Sequence, residues 1–462
     1  MSILTSLFTG VSGMSANGQA LSIIGDNIAN SNTTGFKGSR AVFGDMLSQS
    51  MGGSSMQIGK GAQVISSQQL VGQGTFQTTS NPLDMAIDGD GFFMVNGTGG
   101  KFFTRAGQFS LSKDGYVVNP TGDKVQGYIY DSSGKPTGGI GDINSAAVNS
   151  NPSATDSMNF QANLDSRVST PLVAWTVPVP VAAGPAAGSY NFNSSMTVYD
   201  TQGNDHPVSV YFRKVDDTAA PGLNSPNTWQ AHIVYNNSAT GTNYVEAMYP
   251  GAANDTMYLQ FDSSGKMVNF KPGTMAAPPA NNPPVLPTIT SQNLGYNFKA
   301  WTGAAAALIP DQTIGLDFGY QGTYTTQYGA DSSMTFQNQN GWTSGNLRSL
   351  NISNSGIIDG VFTNGQVKTI GQVALARFTN PSALTKMGKD LYVESSDSGQ
   401  PAIGTPGTSG RGGLQASSLE MSNVDLAEEF VSMISAQRGF QANARVITTT
   451  DTLLNDVLGL IR

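Results

Sequence analysis

The sequence predicts a mixed, mainly β protein whose N- and C-terminal helices pair as an α-helical coiled coil. Nested β-rich domains of sandwich or barrel type lie between them. Three observations carry this reading. Apolar residues recur at alternating three- and four-residue spacing at both ends of the chain, the mark of a helical seam. Between the ends, short alternating or β-branched runs are separated by turn pairs such as Asp88-Gly89, Asp114-Gly115 and Asn340-Gly341. The chain of 462 residues also holds 55 glycines but only 12% charged residues, a balance that suits β domains with many tight turns.

The N-terminal helix is predicted over Ser2 to Asn30. Leu4, Leu7, Val11, Met14, Leu21 and Ile28 form its series, with Gly18 and Gly25 filling two places. The stretch Asn30-Ser-Asn-Thr-Thr-Gly35 then stops it. Gly10, Gly13, Gly18 and Gly25 each cost about 1 kcal/mol relative to Ala. The segment is therefore expected to be a weak helix alone that gains order on assembly.

At the C-terminus an a series runs Phe430, Gln437, Ala444, Asp451 and Leu458. The d series runs Leu426, Met433, Phe440, Ile447, Leu454 and Ile461, and every member is apolar. Ser422 and Asp425 have capping-box spacing, and Glu428 and Glu429 favour the positive end of the helix dipole. A second apolar stripe, Val424, Val431, Ile434, Val446, Leu453, Val457 and Leu460, lies off that seam. One partner helix covers one stripe, so the second needs another partner. The ends of a chain rarely find full cover inside one fold. Both terminal helices are thus expected to pack against copies of this chain as well as each other.

The chain leaves one helix, builds β domains and returns to the other helix, so each domain is nested in the last. The expected divisions are 1–30 with 423–462 for the helices and 31–70 with 401–422 for a connecting segment. An inner β domain takes 71–145 with 335–400, and an outer one, 146–334, is inserted in it. Pro-rich stretches from Pro171 to Ala187 and from Pro272 to Pro287 read as loops of the outer domain.

Little in the composition points to chemistry. Net charge is −8 with no basic patch, so no nucleic-acid partner is expected. The chain has no cysteine, which excludes disulfides, Cys-based zinc sites and Cys nucleophiles. No apolar run is long enough to enter a membrane, and the N-terminus lacks the basic start of a cleavable signal. Asp200, Asp205 and His206 lie close in sequence but also spell a hairpin turn between Met196–Tyr199 and Val208–Phe212. Asp88-Gly-Asp-Gly91 hints at a calcium loop but lacks the third oxygen ligand and the acidic residue at the closing position. The run Gly404 to Gly413 lacks the Lys-Ser/Thr ending of a phosphate cradle and reads as a flexible connection. No catalytic residue, cofactor or metal is expected.

Four stretches together resemble one family. Asp26-Asn-Ile-Ala-Asn30 followed by Ser31-Asn-Thr-Thr-Gly-Phe-Lys37 is similar to the signature of bacterial flagellar rod and hook proteins. So are Leu83-Asp-Met-Ala-Ile-Asp-Gly-Asp-Gly-Phe-Phe93, Phe103-Thr-Arg-Ala-Gly-Gln-Phe109 and Ser422-Asn-Val-Asp-Leu426. The motif positions are Asn27, Ala29, Asn30, Gly35, Phe36, Lys37, Asn423 and Asp425. The long insertion, with Met196 to Arg213 inside it, resembles hook members more than distal rod members. The resemblance implies a self-polymerising, flexible hollow tube outside the cell that passes torque from motor rod to filament. It implies a distal rod protein, a hook cap protein and a hook–filament junction protein as partners, and delivery by the flagellar type III export apparatus. A rod protein, a secreted adhesin and an enzyme are the rivals. The long insertion, the paired heptads and the lack of a convergent site weigh against them in turn.

Overall fold

The computed structural model describes residues 3–46, 49–50, 57–131, 135–176, 184–215, 227–236, 244–246, 257–272, 294–298, 312–320 and 323–460. Among these residues the chain has two α-helices, α1 (Ile3–Ala29) and α2 (Leu426–Leu460), and strands fill the interval. No helix among them is long and apolar enough to cross a membrane. The two Pro-rich stretches, Pro171 to Ala187 and Pro272 to Pro287, lie partly outside the described residues.

Polar side chains set the helix ends. Asn30 Nδ2 donates to the Asp26 carbonyl at 2.9 Å, and Thr33 Oγ1 donates to Asn30 Oδ1 at 3.2 Å. These bonds offer the backbone an exit from the helix. Gly35 follows with φ of 70°. The start of α2 corrects the expected cap. Asp425, not Ser422, is the N-cap: its Oδ1 accepts from the Ala427 N–H at 2.8 Å and the Glu428 N–H at 3.4 Å. Those are the second and third residues of the helix, the donors an N-cap oxygen reaches. Ser422 Oγ instead accepts from the Val424 N–H at 3.3 Å, outside the helix.

After α1 the chain makes an antiparallel hairpin of β1 (Ser39–Asp45) and β2 (Ala62–Gln69). The hairpin lies along α1, and Gly61 abuts Ser12 so closely that a Cβ would collide with its hydroxyl. The chain as a whole divides into two compact units, residues 1–149 with 347–462, and residues 150–346.

The first unit interleaves the outgoing and returning arms of the chain. Strand Lys124–Tyr130 pairs first with Phe92–Gly97, at Val125↔Val95, and further along with Val367–Val373 from the returning arm, in the register Gly127↔Val373 and Ile129↔Gly371. The run Phe92-Phe-Met-Val95 is apolar without alternation because both faces of its strand are covered. Phe93 and Val95 enter one core with Phe109, Ile358 and Val373, while Phe92 and Met94 enter a second with Phe103, Phe378 and Tyr392. The Gly-rich run near Gly404 is not the flexible tether expected from composition. It is a hydrogen-bonded loop between strands Ala402–Gly404 and Gly413–Ala416. The Gly407 N–H donates to the Gly412 carbonyl at 2.9 Å, and the Gly412 N–H donates to the Asp90 carbonyl at 2.7 Å.

The second unit packs two sheets face to face. Four strands, including Ser157–Asn163 and Gln312–Asp317, form one sheet; six, including Phe192–Tyr199, Asp205–Val215 and Thr228–Asn236, form the other. Phe160, Ile314 and Leu316 from the first meet Val210, Phe212 and Trp229 from the second in a single core. The stretch from Asp200 to His206 is the turn expected, joining strands at Tyr199↔Asp205. Buried Asp200 holds it by accepting from the backbone N–H of Gln202 at 2.8 Å and of Asn204 at 2.9 Å.

Asp165 ties the unit together near its other end. Its carboxylate accepts from Arg167 Nε and Nη2, both at 2.9 Å, and Arg167 Nη2 also reaches Asp331 Oδ1 at 2.7 Å. The Arg167 hydrogen bonds hold the Asp165 carboxyl down to about 2, from an ordinary 3.8. A depressed carboxylate stabilises the fold above its unfolded value, and the contribution is lost as the pH falls through its folded value. Calorimetry of the full chain should show the 150–346 transition losing stability between pH 3.8 and about 2. Arg167→Ala should flatten that dependence.

Candidate functional site: a buried charge cluster beneath a helix pair

The two terminal helices pack antiparallel. Gly13 faces Asn443, Asn17 faces Gly439, and Asn27 Nδ2 donates to Glu429 Oε1 at 2.8 Å, so one register runs the length of the contact. On α2 the described residues that lose exposure are Glu429, Met433, Ala436, Gly439, Asn443, Ala444, Ile447, Thr450 and Leu454. On α1 the buried ones are Gly10, Ala16, Ala20 and Asn27.

This seam is not the apolar series read from the sequence. On α1 it lies one residue earlier, about 100° of helix rotation away. Gly10, Gly13, Asn17 and Ala20 take the places expected of Val11, Met14, Gly18 and Leu21. On α2, Met433, Ile447 and Leu454 of the d series lose exposure. Of the a series Ala444 loses exposure, whereas Phe430, Gln437 and Asp451 stay exposed and Glu429, Ala436 and Thr450 stand in their stead. The reason is distance. Small residues let the two backbones approach, and large side chains are pushed to the flanks. Leu7, Met14, Leu21 and Ile28 are half-buried beside the contact. Val11, Leu426 and Phe440 are exposed. The side chains of Leu4 and Leu458, and all of Ile461, lie outside the described residues.

Just below the helices the chain buries three charges. Glu420 is fully buried; its Oε1 accepts from Lys37 Nζ at 2.5 Å and from the Gly74 N–H at 3.0 Å, and its Oε2 accepts from Arg105 Nη1 at 3.2 Å. The Glu420 carbonyl accepts from the Gly35 N–H at 2.7 Å. Lys37 Nζ also donates to the Gly72 carbonyl at 2.8 Å, and Arg105 Nη2 to the Gly89 carbonyl at 2.8 Å. Arg105 lies over the Phe92 ring at 5.3 Å. Burial pushes the Lys37 ammonium below its usual range, against the upward pull of Glu420; the Arg105 guanidinium is lowered for the same reason. Two desolvated cations thus share one carboxylate.

Each of the four motif stretches reaches this cluster or borders it. Asn27 is buried at the end of α1 and brackets Ser39, its Nδ2 donating to the Ser39 carbonyl at 2.7 Å and its Oδ1 accepting the Ser39 N–H at 2.9 Å. Gly35 sits where a Cβ would come within 2.6 Å of the Arg105 backbone. Phe36 is buried beside it, under Lys386 Nζ at 5.1 Å. Asn423 takes the Gly38 N–H at 2.9 Å and donates to the carbonyls of Leu70 and Gly72 at 2.8 and 3.0 Å. The Asp-Gly-Asp-Gly turn supplies the Gly89 carbonyl that holds Arg105. Asn30 and Asp425 end and begin the two helices, while Ala29 is exposed. Glu420 itself was missed by sequence reasoning. Its only signal was an isolated acid in a chain poor in charge.

A β body strung between paired terminal helices, with a cluster of buried charges placed where segments join, defines a structural building block of an axial type. Comparison with known proteins agrees. Residues 7–37 match the family described as "Flagella basal body rod protein" and residues 86–157 "Flagellar hook protein FlgE/F/G D1 domain". Residues 163–342 match "Flagellar basal body protein FlaE D2 domain" and residues 415–460 "Flagellar basal body rod FlgEFG protein C-terminal". The flagellar hook protein FlgE of Borreliella burgdorferi is 35% identical, over 99% of this chain and 100% of its own length. Those of Treponema pallidum and Escherichia coli K12 are each 34% identical, over 100% and 97% of this chain and 100% and 98% of their own. The chain belongs to the bacterial flagellar hook protein family and is a structural protein, not an enzyme.

Removing the shared carboxylate should be costly. Glu420→Gln leaves two cations facing each other without compensation, and breaking such a buried pair costs about 3–5 kcal/mol. Urea unfolding of the full chain should show that loss in the unit holding residues 1–149 and 347–462, with the 150–346 transition unmoved.

Proposed function

We propose that this chain polymerises with copies of itself into a flexible hollow tube, the hook that passes torque from the motor rod to the filament. The paired terminal helices form its inner wall as a coiled-coil layer. The observation that carries the reading is the apolar surface left on helices that are already paired. Phe8 is 65% exposed on α1; on α2 Phe430 is 49%, Val431 69%, Ile434 50% and Leu453 55% exposed. Phe430, Val431 and Ile434 fall within about one turn of helix, and an exposed apolar cluster of this kind marks an association surface. Leu4, Leu7, Val11, Met14, Leu21 and Ile28, with the flanking residues of α2, are the assembly residues in this reading.

The tube stands outside the cell, reached through the flagellar type III export apparatus. It grows beneath a hook cap protein, starts on the distal rod protein and ends on a hook–filament junction protein. Family membership supports these partners, together with the heptad spacing at both ends. Bending requires neighbours that slide. Weakly charged, polar β surfaces exchange contacts at small cost, whereas a large apolar interface would lock. The terminal helices therefore supply permanence and the 150–346 unit supplies movement.

Phe430→Glu with Ile434→Glu should leave the circular dichroism of the monomer unchanged and abolish polymer in sedimentation and electron microscopy under assembly conditions. Normal tubes from that variant would refute the assembly face. Deleting residues 150–346 should give tubes that form but are straight or abnormally stiff in electron micrographs. Absence of tubes would contradict the division of labour.

A further inference from the structure

The contact between α1 and α2 holds a reciprocal pair of identical motifs. Gly13-Met-Ser-Ala-Asn17 on α1 and Gly439-Phe-Gln-Ala-Asn443 on α2 share the pattern Gly-x-x-Ala-Asn. Asn17 Nδ2 donates back to the Gly13 carbonyl at 2.7 Å, and Asn443 Nδ2 donates back to the Gly439 carbonyl at 3.0 Å. Each glycine then lies under the other helix's amide. A Cβ on Gly13 would come within 2.7 Å of Asn443 Nδ2, and one on Gly439 within 2.9 Å of Asn17 Oδ1. Because the helices run antiparallel, the two motifs interlock as a closed ring of two hydrogen bonds and two close approaches.

We propose that this ring is the register key of the helix pair, with Gly13, Asn17, Gly439 and Asn443 as its positioning residues. Apart from the Asn27–Glu429 bond and the larger Met433, Ile447 and Leu454, the rest of the seam specifies register poorly. Gly10, Ala20, Ala436 and Thr450 are small, and small side chains make shallow knobs that slip at little cost. A polar residue in a helical seam fixes register because every other alignment buries its amide against apolar groups. A slip of one heptad would move Asn17 from Gly439 to Ser432 or Val446. The same slip would move Asn443 from Gly13 to Ser6 or Ala20. Neither alignment offers an amide a glycine to lie over. The key is a property of the single chain and stands whether or not the tube forms as proposed. Where the tube does form, the key also fixes how the exposed stripes of the two helices line up for a neighbour.

The chain has no cysteine, so an engineered pair reports register without interference. Ala20 and Ala436 both line the groove at the seam and share the register of the Asn17 and Gly439 contact. Full-length protein carrying Ala20→Cys and Ala436→Cys should form the intramolecular disulfide in high yield, read by mass spectrometry after mild oxidation. Adding Gly13→Asn, which sets two amides face to face, should lower the yield several-fold. Adding Asn443→Gly to that variant restores one amide over one glycine and should recover the yield. A second set, Asn17→Leu with Asn443→Leu, keeps an apolar seam without the key. Its yield should fall while circular dichroism shows helix content retained. Parental yield in Gly13→Asn, no recovery in the exchanged pair, or parental yield in the double leucine variant would each overturn the proposal.

Discussion

A carboxylate that has left water must be compensated, and in this chain the burial of Glu420 decides where several distant segments meet. An isolated buried charge costs several kcal/mol, so the arrangement survives only because Lys37, Arg105 and the Gly74 N–H all converge on it. Lys37 follows the first helix, Arg105 belongs to the inner sheet and Glu420 precedes the second helix. One ion therefore welds the roots of both helices to the β body. The glycines of the motif stretches serve the same end. Gly35 brings the backbone against Arg105, and Gly89 turns its carbonyl to the guanidinium. Rigidity at this joint leaves compliance to other parts of the molecule.

The helix pair follows a different logic. Its contact is built from glycine, alanine and asparagine, so its large apolar side chains are displaced to the flanks. A paired helix that still shows Phe430 and Ile434 to solvent has satisfied its backbone spacing without satisfying its hydrophobic surface. The same sequence feature thus does two things. Small residues inward give a close pair, and large residues beside them leave a face open to further partners.

This displacement also explains where the sequence was legible. Three-four spacing located α1, at Ile3–Ala29, to within a residue and the start of α2, at Leu426, to within three. The turn from Asp200 to His206 was readable because Asp, Asn and Gly favour local hydrogen bonds wherever they fall. The seam was readable only in part: Met433, Ile447 and Leu454 turn inward as periodicity expects, but most of the other inward residues are small or polar. The cap moved from Ser422 to Asp425 for a similar reason: both side chains can cap, and only the backbone exit from strand Ser418–Glu420 decides between them. The Gly-rich run near Gly404 looked like a tether because its partners, Asp90 among them, lie far away along the chain. Glu420 was invisible on the same ground. Composition reports local preference, while a charge cluster is a fact about distant neighbours.

The interleaving of the inner sheet sets the order in which this polypeptide can become a solid object. Lys124–Tyr130 waits for Val367–Val373, Lys37 waits for Glu420, and Gly13 waits for Asn443. Every one of these closures spans a long stretch of sequence, and such high contact order makes folding late and slow. A growing or advancing polypeptide that lacks its returning arm has nothing to crystallise around in its first unit. Its first unit sets only when the returning arm arrives.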